Sequence, residues 1–167
     1  MAEQPTRWLS EPQQHLWQSF LRLNRDLNAT LGYRLEAHSG LSSSDYAVLV
    51  PLSEEPTGLL RARELLTVIS WDRSRLSHHL TRMERRGLIA REECPTDARG
   101  LMVRITECGT RAIQSAAPDH AEAVQQHLFD LLSQDEINTL TEVFDRLLEN
   151  LNPAPSEQCD GASDCGS

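Results

Sequence analysis

The stretch from Ser70 to Thr106 constrains the fold of this chain more than any other, and it reads SWDRSRLSHHLTRMERRGLIAREECPTDARGLMVRIT. Its first part places Leu76, Leu80 and Met83 at helical spacing among arginines, and Gly87 is of the kind that follows a helix end. Two short apolar segments come next, separated by proline, aspartate and glycine residues that favour turns. The stretch therefore predicts a basic helix, a glycine turn and a small β-hairpin.

A second helix is predicted immediately before this stretch, over residues 60–66, followed by a turn over 67–70. Ser70 has the chemistry of an N-cap for the basic helix. Two helices joined by a short turn, the second of them polar and basic on one face, are typical of a helix-turn-helix. The hairpin strands are predicted over 88–91 and 101–105.

The loop of the hairpin is predicted near residues 98–99. In that register Cys94 would oppose residues 103–104, well short of Cys108, so a disulfide across the hairpin is not expected. The four cysteines of the chain show no spacing typical of zinc ligands. We interpret them as reduced thiols, and a redox or metal sensor built on Cys94 is the alternative.

Charge is distributed unevenly along the chain. All 16 basic residues are arginines, and ten of them lie in residues 61–104 beside six acids, which gives that segment a net charge of +4. The remainder has six arginines and 19 acids, net −13, so the whole chain is at −9. Because the planar fork of arginine suits phosphates and guanine edges, the basic segment predicts a surface that faces an anion such as nucleic acid.

Amphipathic helices are predicted before the basic segment. Ser10 is the expected N-cap of the first, whose apolar stripe continues through residues 16–31. Residues 32–40 are predicted as a connection. Ser42 with Asp45 resembles a capping box and begins a further helix.

Two prolines lie inside predicted helices, Pro51 in the second helix and Pro118 in a helix predicted over 107–132. Each should bend or shorten its helix. A capping box over 133–136 begins a last helix, whose apolar stripe ends at Leu151.

The apolar stripes of the first and the last two helices exceed what a small winged domain can cover. Burial against a second copy would satisfy them, which predicts a homodimer; a monomeric helical cap folded back on the basic module is the alternative. The predicted fold class is mainly α with a small β-hairpin wing. The predicted organisation is a flexible N-terminus over 1–9, an N-terminal dimerisation helix and connection over 10–40, a winged helix-turn-helix over 41–106, C-terminal dimerisation helices over 107–152 and a disordered tail over 153–167.

Three short motifs follow one another here: Met83-Glu84-Arg85-Arg86-Gly87-Leu88-Ile89, then Asp97-Ala98-Arg99, then Ile105-Thr106-Glu107-Cys108-Gly109. In this order they resemble the LE-x-x-GLI, Asp-x-Arg and LT-x-x-G motifs of the MarR family of bacterial winged-helix regulators. Met83 and Ile105 are conservative departures from leucine. The resemblance extends over about residues 10–152.

The resemblance implies a dimeric transcriptional regulator, and a repressor in particular, that binds a pseudo-palindromic operator in double-stranded DNA. The recognition helix, about residues 70–86, would enter the major groove and the wing the minor groove. Once the apolar positions are removed, a set of hydrogen-bonding side chains is left on or near the exposed face of that helix, and His79 lies nearer the buried face. The predicted DNA-contacting residues of the helix are Arg73, Ser74, Arg75, Ser77, His78 and Arg82.

Arg99 is predicted to contact DNA from the wing. An arginine at a hairpin tip has little apolar surface to bury, and it can enter the narrow, strongly negative minor groove of A·T-rich DNA. Asp97 is interpreted as the residue that orients its guanidinium. Family members often respond to a small-molecule effector in a cleft beside the dimerisation helices, and residues that could line such a cleft here are Trp17, Arg22, His38 and Tyr46.

Other classes of function are not indicated. No apolar run approaches the roughly 20 residues of a membrane span, and no secretory signal is visible, so a cytoplasmic protein without a membrane partner is expected. The six histidines form no metalloprotease motif, and there is no phosphate loop or nucleophile elbow, so no enzyme activity, metal or cofactor is expected. A winged-helix module for protein–protein contact alone would leave the concentration of arginine unexplained.

Overall fold

The computed structural model describes residues 6–94 and 97–151, and for residues 94 and 97–99 it describes the backbone alone. Predictions for residues 1–5 and 152–167 lie outside the described residues. The fold is mainly helical with one small antiparallel sheet, which confirms the predicted fold class. The elements are α1 (Glu11–Ser39), α2 (Ser43–Glu54), β1 (Leu59–Arg61), α3 (Ala62–Ile69), α4 (Arg73–Arg85), β2 (Ile89–Cys94), β3 (Asp97–Ile105), α5 (Glu107–His127), a 3₁₀ turn (Phe129–Leu131) and α6 (Gln134–Leu151).

The chain divides into two compact units, Met1–His127 and Leu128–Ser167. The first holds the sheet and α1–α5, and its core joins apolar side chains of α2, α3, α4, α5 and the sheet around Leu49, Leu65 and Val103. In the second, the capping box predicted over 133–136 begins α6, with the Ser133 backbone N–H donating to Glu136 at 2.8 Å. No helix among the described residues has the length and apolar character that a bilayer span requires.

The predicted starts of the first two helices are confirmed. The backbone N–H of Ser10 donates to Gln13 Oε1 at 2.9 Å. Ser42 and Asp45 form a reciprocal capping box: the Ser42 backbone N–H donates to Asp45 Oδ2 at 3.0 Å, and the Asp45 N–H donates to Ser42 Oγ at 3.1 Å. Each box satisfies backbone donors that the first turn of a helix leaves unpaired.

The end of the first helix differs from the prediction. The connection predicted over 32–40 is wrong, because α1 continues to Ser39. Its last turns bury Leu35, and this packing outweighs the cost of about 1 kcal/mol that Gly32 imposes inside a helix. Helix α2 contains Pro51, as predicted, and ends three residues after it, at Glu54.

The sheet contains a strand that the sequence pattern did not reveal. The helix predicted over 60–66 begins instead with β1, in which Leu60 lies opposite Val103 of β3. The strand order is β1-β3-β2, so β3 is central. Three residues are too few to show the alternation of a strand, and β1 forms because β3 offers an edge to pair with.

The N-cap predicted for the basic helix is also wrong. Ser70 has a left-handed φ of 53° and is the C-cap of α3, so most of the turn predicted over 67–70 belongs to that helix. Asp72 is the N-cap of α4, and its carboxylate accepts the backbone N–H of Arg75 at 2.8 Å. Serine and aspartate cap helices about equally well, so the position where α3 ends decides between them.

Helix α4 ends at Gly87, as predicted. Gly87 has a φ of 71°, and its N–H donates to the Glu84 carbonyl at 2.9 Å. The Leu88 N–H donates to the Met83 carbonyl at 3.0 Å, which completes a Schellman motif. This turn directs the chain from α4 into β2.

The turn of the hairpin differs from the prediction. Ile89 lies opposite Ile105 in a regular ladder, but the register shifts between Glu93 and Cys94, so that Cys94 opposes Asp97 rather than residues 103–104. Residues 98–99 therefore belong to β3 and not to the turn between the strands. Such an irregularity places extra residues on one strand and bends it.

The Thr-x-x-Gly motif connects the start of α5 with the turn after α4. Thr106 Oγ1 donates to the Gly87 carbonyl at 2.6 Å and accepts the Gly109 N–H at 3.0 Å. A Cβ atom on Gly109 would lie 2.1 Å from the Leu88 carbonyl oxygen. Threonine and glycine at this spacing therefore allow α5 to pack closely against the backbone that leaves α4.

Replacing Gly109 with alanine should lower the free energy of unfolding by about 2 kcal/mol, because the new methyl group overlaps a backbone carbonyl that cannot rotate away. Urea denaturation followed by circular dichroism measures the change. The matched control is Gly87→Ala, where a Cβ meets nothing within 4 Å, and only its left-handed backbone should cost about 1 kcal/mol. A Gly109→Ala protein as stable as wild type would show that α5 can shift without cost.

Candidate nucleic-acid interface

Helix α4 separates an apolar face from a polar one. Leu76, Leu80 and Met83 are buried in the core, as predicted. The predicted DNA-contacting side chains of this helix are all exposed and lie on the opposite side: Arg73, Ser74, Arg75, Ser77, His78 and Arg82. One element thus carries both the anchoring residues and a row of hydrogen-bonding groups.

Two of these arginines contact a ring side chain, Arg75 through its face and Arg82 through a ring nitrogen. The Arg75 guanidinium carbon lies 4.1 Å from the centroid of the Trp71 ring, in a cation–π contact. Arg82 Nη2 lies 2.9 Å from Nδ1 of His79. Trp71 and His79 meet edge to face, with their centroids 5.4 Å apart. Neither Trp71 nor a role for His79 was predicted from the sequence. The position of His79 three residues after Leu76, on the buried side of the helix, could have indicated that its ring is buried.

Asp45 is buried beneath α4, with 1% of its surface exposed. Arg86 Nη1 donates to its Oδ2 at 2.6 Å, and His79 Nε2 lies 3.2 Å from its Oδ1 without the alignment of a regular hydrogen bond. Burial alone would raise the pKa of Asp45, but the contacts with His79, the Ser42 amide and Arg86 outweigh it and hold the pKa well below 3.8. Arg86 also donates to the Gly40 carbonyl at 2.8 Å, so this cluster joins α4 to the junction of α1 and α2.

Other arginines of the basic segment are occupied by carboxylates. Arg91 forms an ion pair with Glu84, and Arg104 with Glu92. The hydrogen bonds from these arginines hold the pKa of both carboxyls below the usual range. These two arginines stabilise the packing of the wing against its neighbours.

The arginines on the exposed face of α4, Arg73, Arg75 and Arg82, differ from Arg91 and Arg104 in their contacts with carboxylates. Among the residues whose side chains are described, no salt bridge joins any of them to a carboxylate. Arg73 also lines a depression of about 380 Å³, together with Arg61 and Arg63 of the preceding elements and Gly100 and Leu101 of β3. The basic charge of this face therefore remains available to an anionic partner.

The wing residues predicted to contact DNA are only partly described. The backbone of Asp97 and Arg99 belongs to β3. Their side chains lie outside the described part of the structure, so the groove contact of Arg99 and the orienting role of Asp97 stay predictions.

The four residues considered for an effector cleft do not converge within the chain. Trp17 and Arg22 are exposed on the first half of α1, and Trp17 lies 21 residues, or roughly 30 Å of helix, from His38. His38 lines a small cavity of about 10 Å³ together with His120. The Tyr46 ring lies 4.5 Å from the His120 ring, so His38 and Tyr46 are both near His120, which the sequence analysis did not single out.

Metal ligation is not supported by the described residues, in which no three histidine, cysteine, aspartate or glutamate side chains cluster closely enough to hold an ion. Cys108 is an exposed free thiol at the start of α5.

Comparison with known proteins agrees with this arrangement. A model of the MarR family matches residues 39–100. AbsC of Streptomyces coelicolor, a MarR family regulator, is 37% identical, with 89% of this chain and 100% of that chain covered and a TM-score of 0.83. Sco3205 of the same organism, crystallised in complex with DNA, is 35% identical, with 92% and 95% covered and a TM-score of 0.85. The regulator MhqR of Bacillus subtilis is 27% identical over 129 residues, which cover 75% of this chain and 84% of MhqR.

The fold and the exposed basic helix define a winged helix-turn-helix protein. The chain belongs to the MarR family of transcriptional regulators.

Proposed function

We propose that this MarR-family regulator is a dimeric repressor that binds a pseudo-palindromic DNA operator, with α4 of each protomer in the major groove. The exposed face of α4 carries the proposal, because its arginines have no carboxylate partner among the described side chains. The likeness to Sco3205, which was crystallised with DNA, supports the same class of partner. Two recognition helices related by a two-fold axis would read half-sites about one helical turn apart.

Within this face the side chains have different chemistry. Arg75 and Arg82 can make two parallel hydrogen bonds to a guanine edge or grip a phosphate, while Ser74 and Ser77 suit phosphate oxygens. Arg73 faces the depression shared with α3 and the wing, a position that suits the DNA backbone. Base contacts would then come from Arg75 and Arg82, and positioning contacts from Arg73 and the two serines.

Exposed apolar side chains on the helices outside the winged domain support the dimer. Trp17 and Phe20 stack with centroids 5.9 Å apart on α1, yet 52% and 45% of their surfaces remain exposed. On α6, Phe144, Leu147 and Leu151 are exposed on one side. Contiguous apolar surface of this kind marks an interaction site, and the same elements of a second copy would cover it.

Release from DNA by a small-molecule effector follows from the family resemblance and is part of the proposal. Of the candidate residues, Tyr46 and His38 both lie near His120. A redox- or metal-responsive regulator is the alternative, built on Cys94, whose side chain lies outside the described part of the structure, or on the exposed thiol of Cys108.

Replacing Arg75 with alanine should weaken operator binding by about 1–3 kcal/mol and relax the preference at one or two base pairs in each half-site. Fluorescence anisotropy on a duplex that the wild-type protein selects from random sequences measures both effects. Arg111→Ala is the matched control, because it removes the same charge from the exposed surface of α5. If wild-type protein retards no DNA, neither a selected duplex nor its own upstream region, the winged domain serves protein contacts instead. Unchanged binding by Arg75→Ala alone would remove Arg75 from the interface.

Replacing Arg99 with alanine tests the wing. Thermal stability should change by no more than about 0.5 kcal/mol, because a wing arginine has little apolar burial to lose. Operator affinity should fall, and the slope of log affinity against log salt should flatten by about two units for a dimer, one for each released contact. Preference for flanking A·T pairs should weaken as well. Wild-type affinity and slope on both A·T and G·C flanks would show that the wing does not grip DNA.

A further inference from the structure

The buried ring of His79 lies beneath the exposed face of α4. His79 and Asp45 are the buried polar or charged side chains among the described residues, and His79 has only 4% of its surface exposed. A buried imidazole inside an otherwise apolar helix face is costly unless both of its nitrogens have partners. Both nitrogens of His79 face charged groups, one on each side of the ring.

The contacts determine which nitrogen carries the proton. Arg82 Nη2 lies 2.9 Å from His79 Nδ1, and because a guanidinium can only donate, Nδ1 accepts and carries no proton. In the neutral ring the proton is therefore on Nε2, which faces the Asp45 carboxylate at 3.2 Å. Ser42 and Arg86 donate hydrogen bonds to Asp45, so the position of this carboxylate is fixed and the His79 ring is oriented against it.

The same ring also supports Arg75, by way of Trp71. The edge-to-face contact of Trp71 with His79, at 84° between the planes, fixes the indole at the start of α4. Arg75 lies over that indole at 4.1 Å. Two exposed arginines seven residues apart on one helix are thus held by one buried imidazole, Arg82 directly and Arg75 through Trp71.

We propose that His79 is a positioning residue for operator recognition: its Nδ1 holds the Arg82 guanidinium, and its ring edge holds the indole on which Arg75 lies. Free arginine side chains lose rotamer freedom when they bind, so holding them in place before DNA arrives reduces that loss and favours the sequence to which they are aimed. The inference rests on the proposed function, in which Arg75 and Arg82 contact DNA. It predicts that a residue which DNA cannot touch controls sequence discrimination.

Two substitutions separate the two sides of the ring. In His79→Gln the side-chain amide reaches the place of Nε2 and can donate to Asp45, but it leaves Arg82 without an acceptor. In His79→Asn the shorter amide places an oxygen near the former Nδ1 and can accept from Arg82, but it cannot reach Asp45. Thermal denaturation checks the fold of each full-length variant, and anisotropy titrations compare a selected operator with unrelated DNA.

We expect His79→Gln to lose about ten-fold in affinity for the operator and almost nothing for unrelated DNA. We expect His79→Asn, which restores an acceptor for Arg82 but not the ring that Trp71 contacts, to recover part of the discrimination. Arg82→Ala should cost less affinity in the His79→Gln background than in wild type, because part of what Arg82 contributes to binding depends on its contact with His79. Three results would overturn the proposal. The first is that the losses of binding free energy from His79→Gln and Arg82→Ala add. The others are a folded His79→Gln protein with wild-type discrimination, and a folded His79→Asn protein that discriminates no better than His79→Gln.

The test also separates this inference from the proposed function. If Arg75→Ala and Arg82→Ala both bind the operator like wild type, the DNA contacts assigned to α4 are wrong and the positioning role falls with them. If both weaken binding while the His79 variants do not, only the positioning role is wrong. If neither His79 variant folds, Trp71→Leu tests the proposal instead, because Trp71 is half-exposed and joins His79 to Arg75. This variant should reduce discrimination between the operator and unrelated DNA as Arg75→Ala does. Discrimination equal to that of wild type would reject the proposal.

Discussion

Replacing Asp45 with asparagine should lower the free energy of unfolding by about 3 kcal/mol, the largest loss expected from a single isosteric substitution in the first compact unit. Removing one partner of a buried ion pair leaves the others uncompensated, which typically costs 3–5 kcal/mol. The lower end applies because Arg86 keeps 47% of its side chain exposed and can turn towards water. Asparagine keeps only one acceptor oxygen, so the NH2 group of its amide faces either the Ser42 capping box or Nε2 of His79.

The loss should depend on pH, with a sign that follows from the depressed pKa of Asp45. Above about pH 4 the carboxyl is ionised in both the folded and the unfolded chain, and its full contribution is present. As the pH falls below 4, the Asp45 carboxyl binds a proton in the unfolded chain but stays ionised in the folded protein, so the stability of the wild-type protein decreases. The difference between wild type and Asp45→Asn should therefore be greatest at neutral pH and shrink towards pH 2.

Urea titrations at several pH values between 2 and 7 measure this difference. Glu84→Gln is the matched control, because it removes the same charge from a more exposed ion pair with Arg91 and should cost much less. If the difference in unfolding free energy between Asp45→Asn and wild type stays constant with pH, then shape rather than charge stabilises the cluster.

The ion pair of Arg86 with Asp45 could not be predicted from the sequence, whereas the capping box that contains Asp45 could. Ser42 and Asp45 predicted the capping box correctly because capping is local, with both partners three residues apart. The sequence analysis included Arg86 in a basic surface, whereas its guanidinium reaches 41 residues back to Asp45. A pattern over neighbouring positions holds no information about a partner that distant, so the ion pair appears only in the structure.

The recognition helix could be predicted more fully than the wing. Leu76, Leu80 and Met83 have the helical period, and removing them leaves the exposed residues that the structure confirms as exposed. In the wing, the register shift at Glu93 moves the turn away from residues 98–99. That shift depends on pairing between strands, and β1 likewise exists only because β3 pairs with it. Local periodicity therefore predicted α4, and long-range pairing between strands determined the structure of the wing beside it.

Replacing Leu147 with glutamate should convert the proposed dimer to a monomer and reduce operator affinity by at least about 100-fold. Leu147 lies within the apolar row of α6 with 52% of its surface exposed, so in the proposed dimer a buried carboxylate would face apolar partners. A monomer holds one recognition helix instead of two, and the loss of the second linked contact removes a factor of about 10²–10⁴. The winged domain itself should remain folded, because Leu147 belongs to the second compact unit.

Light scattering coupled to size-exclusion chromatography measures the mass, and anisotropy on a full operator and on a single half-site measures binding. Asn138→Glu is the matched control, since it adds the same charge on the opposite side of α6 and should leave mass and affinity unchanged. With Leu147→Glu, the full operator and the half-site should bind about equally, because a monomer cannot use the second half-site. A Leu147→Glu protein that keeps the mass of a dimer would place the interface elsewhere, and a wild-type protein that is already monomeric would favour a helical cap folded back on the winged domain.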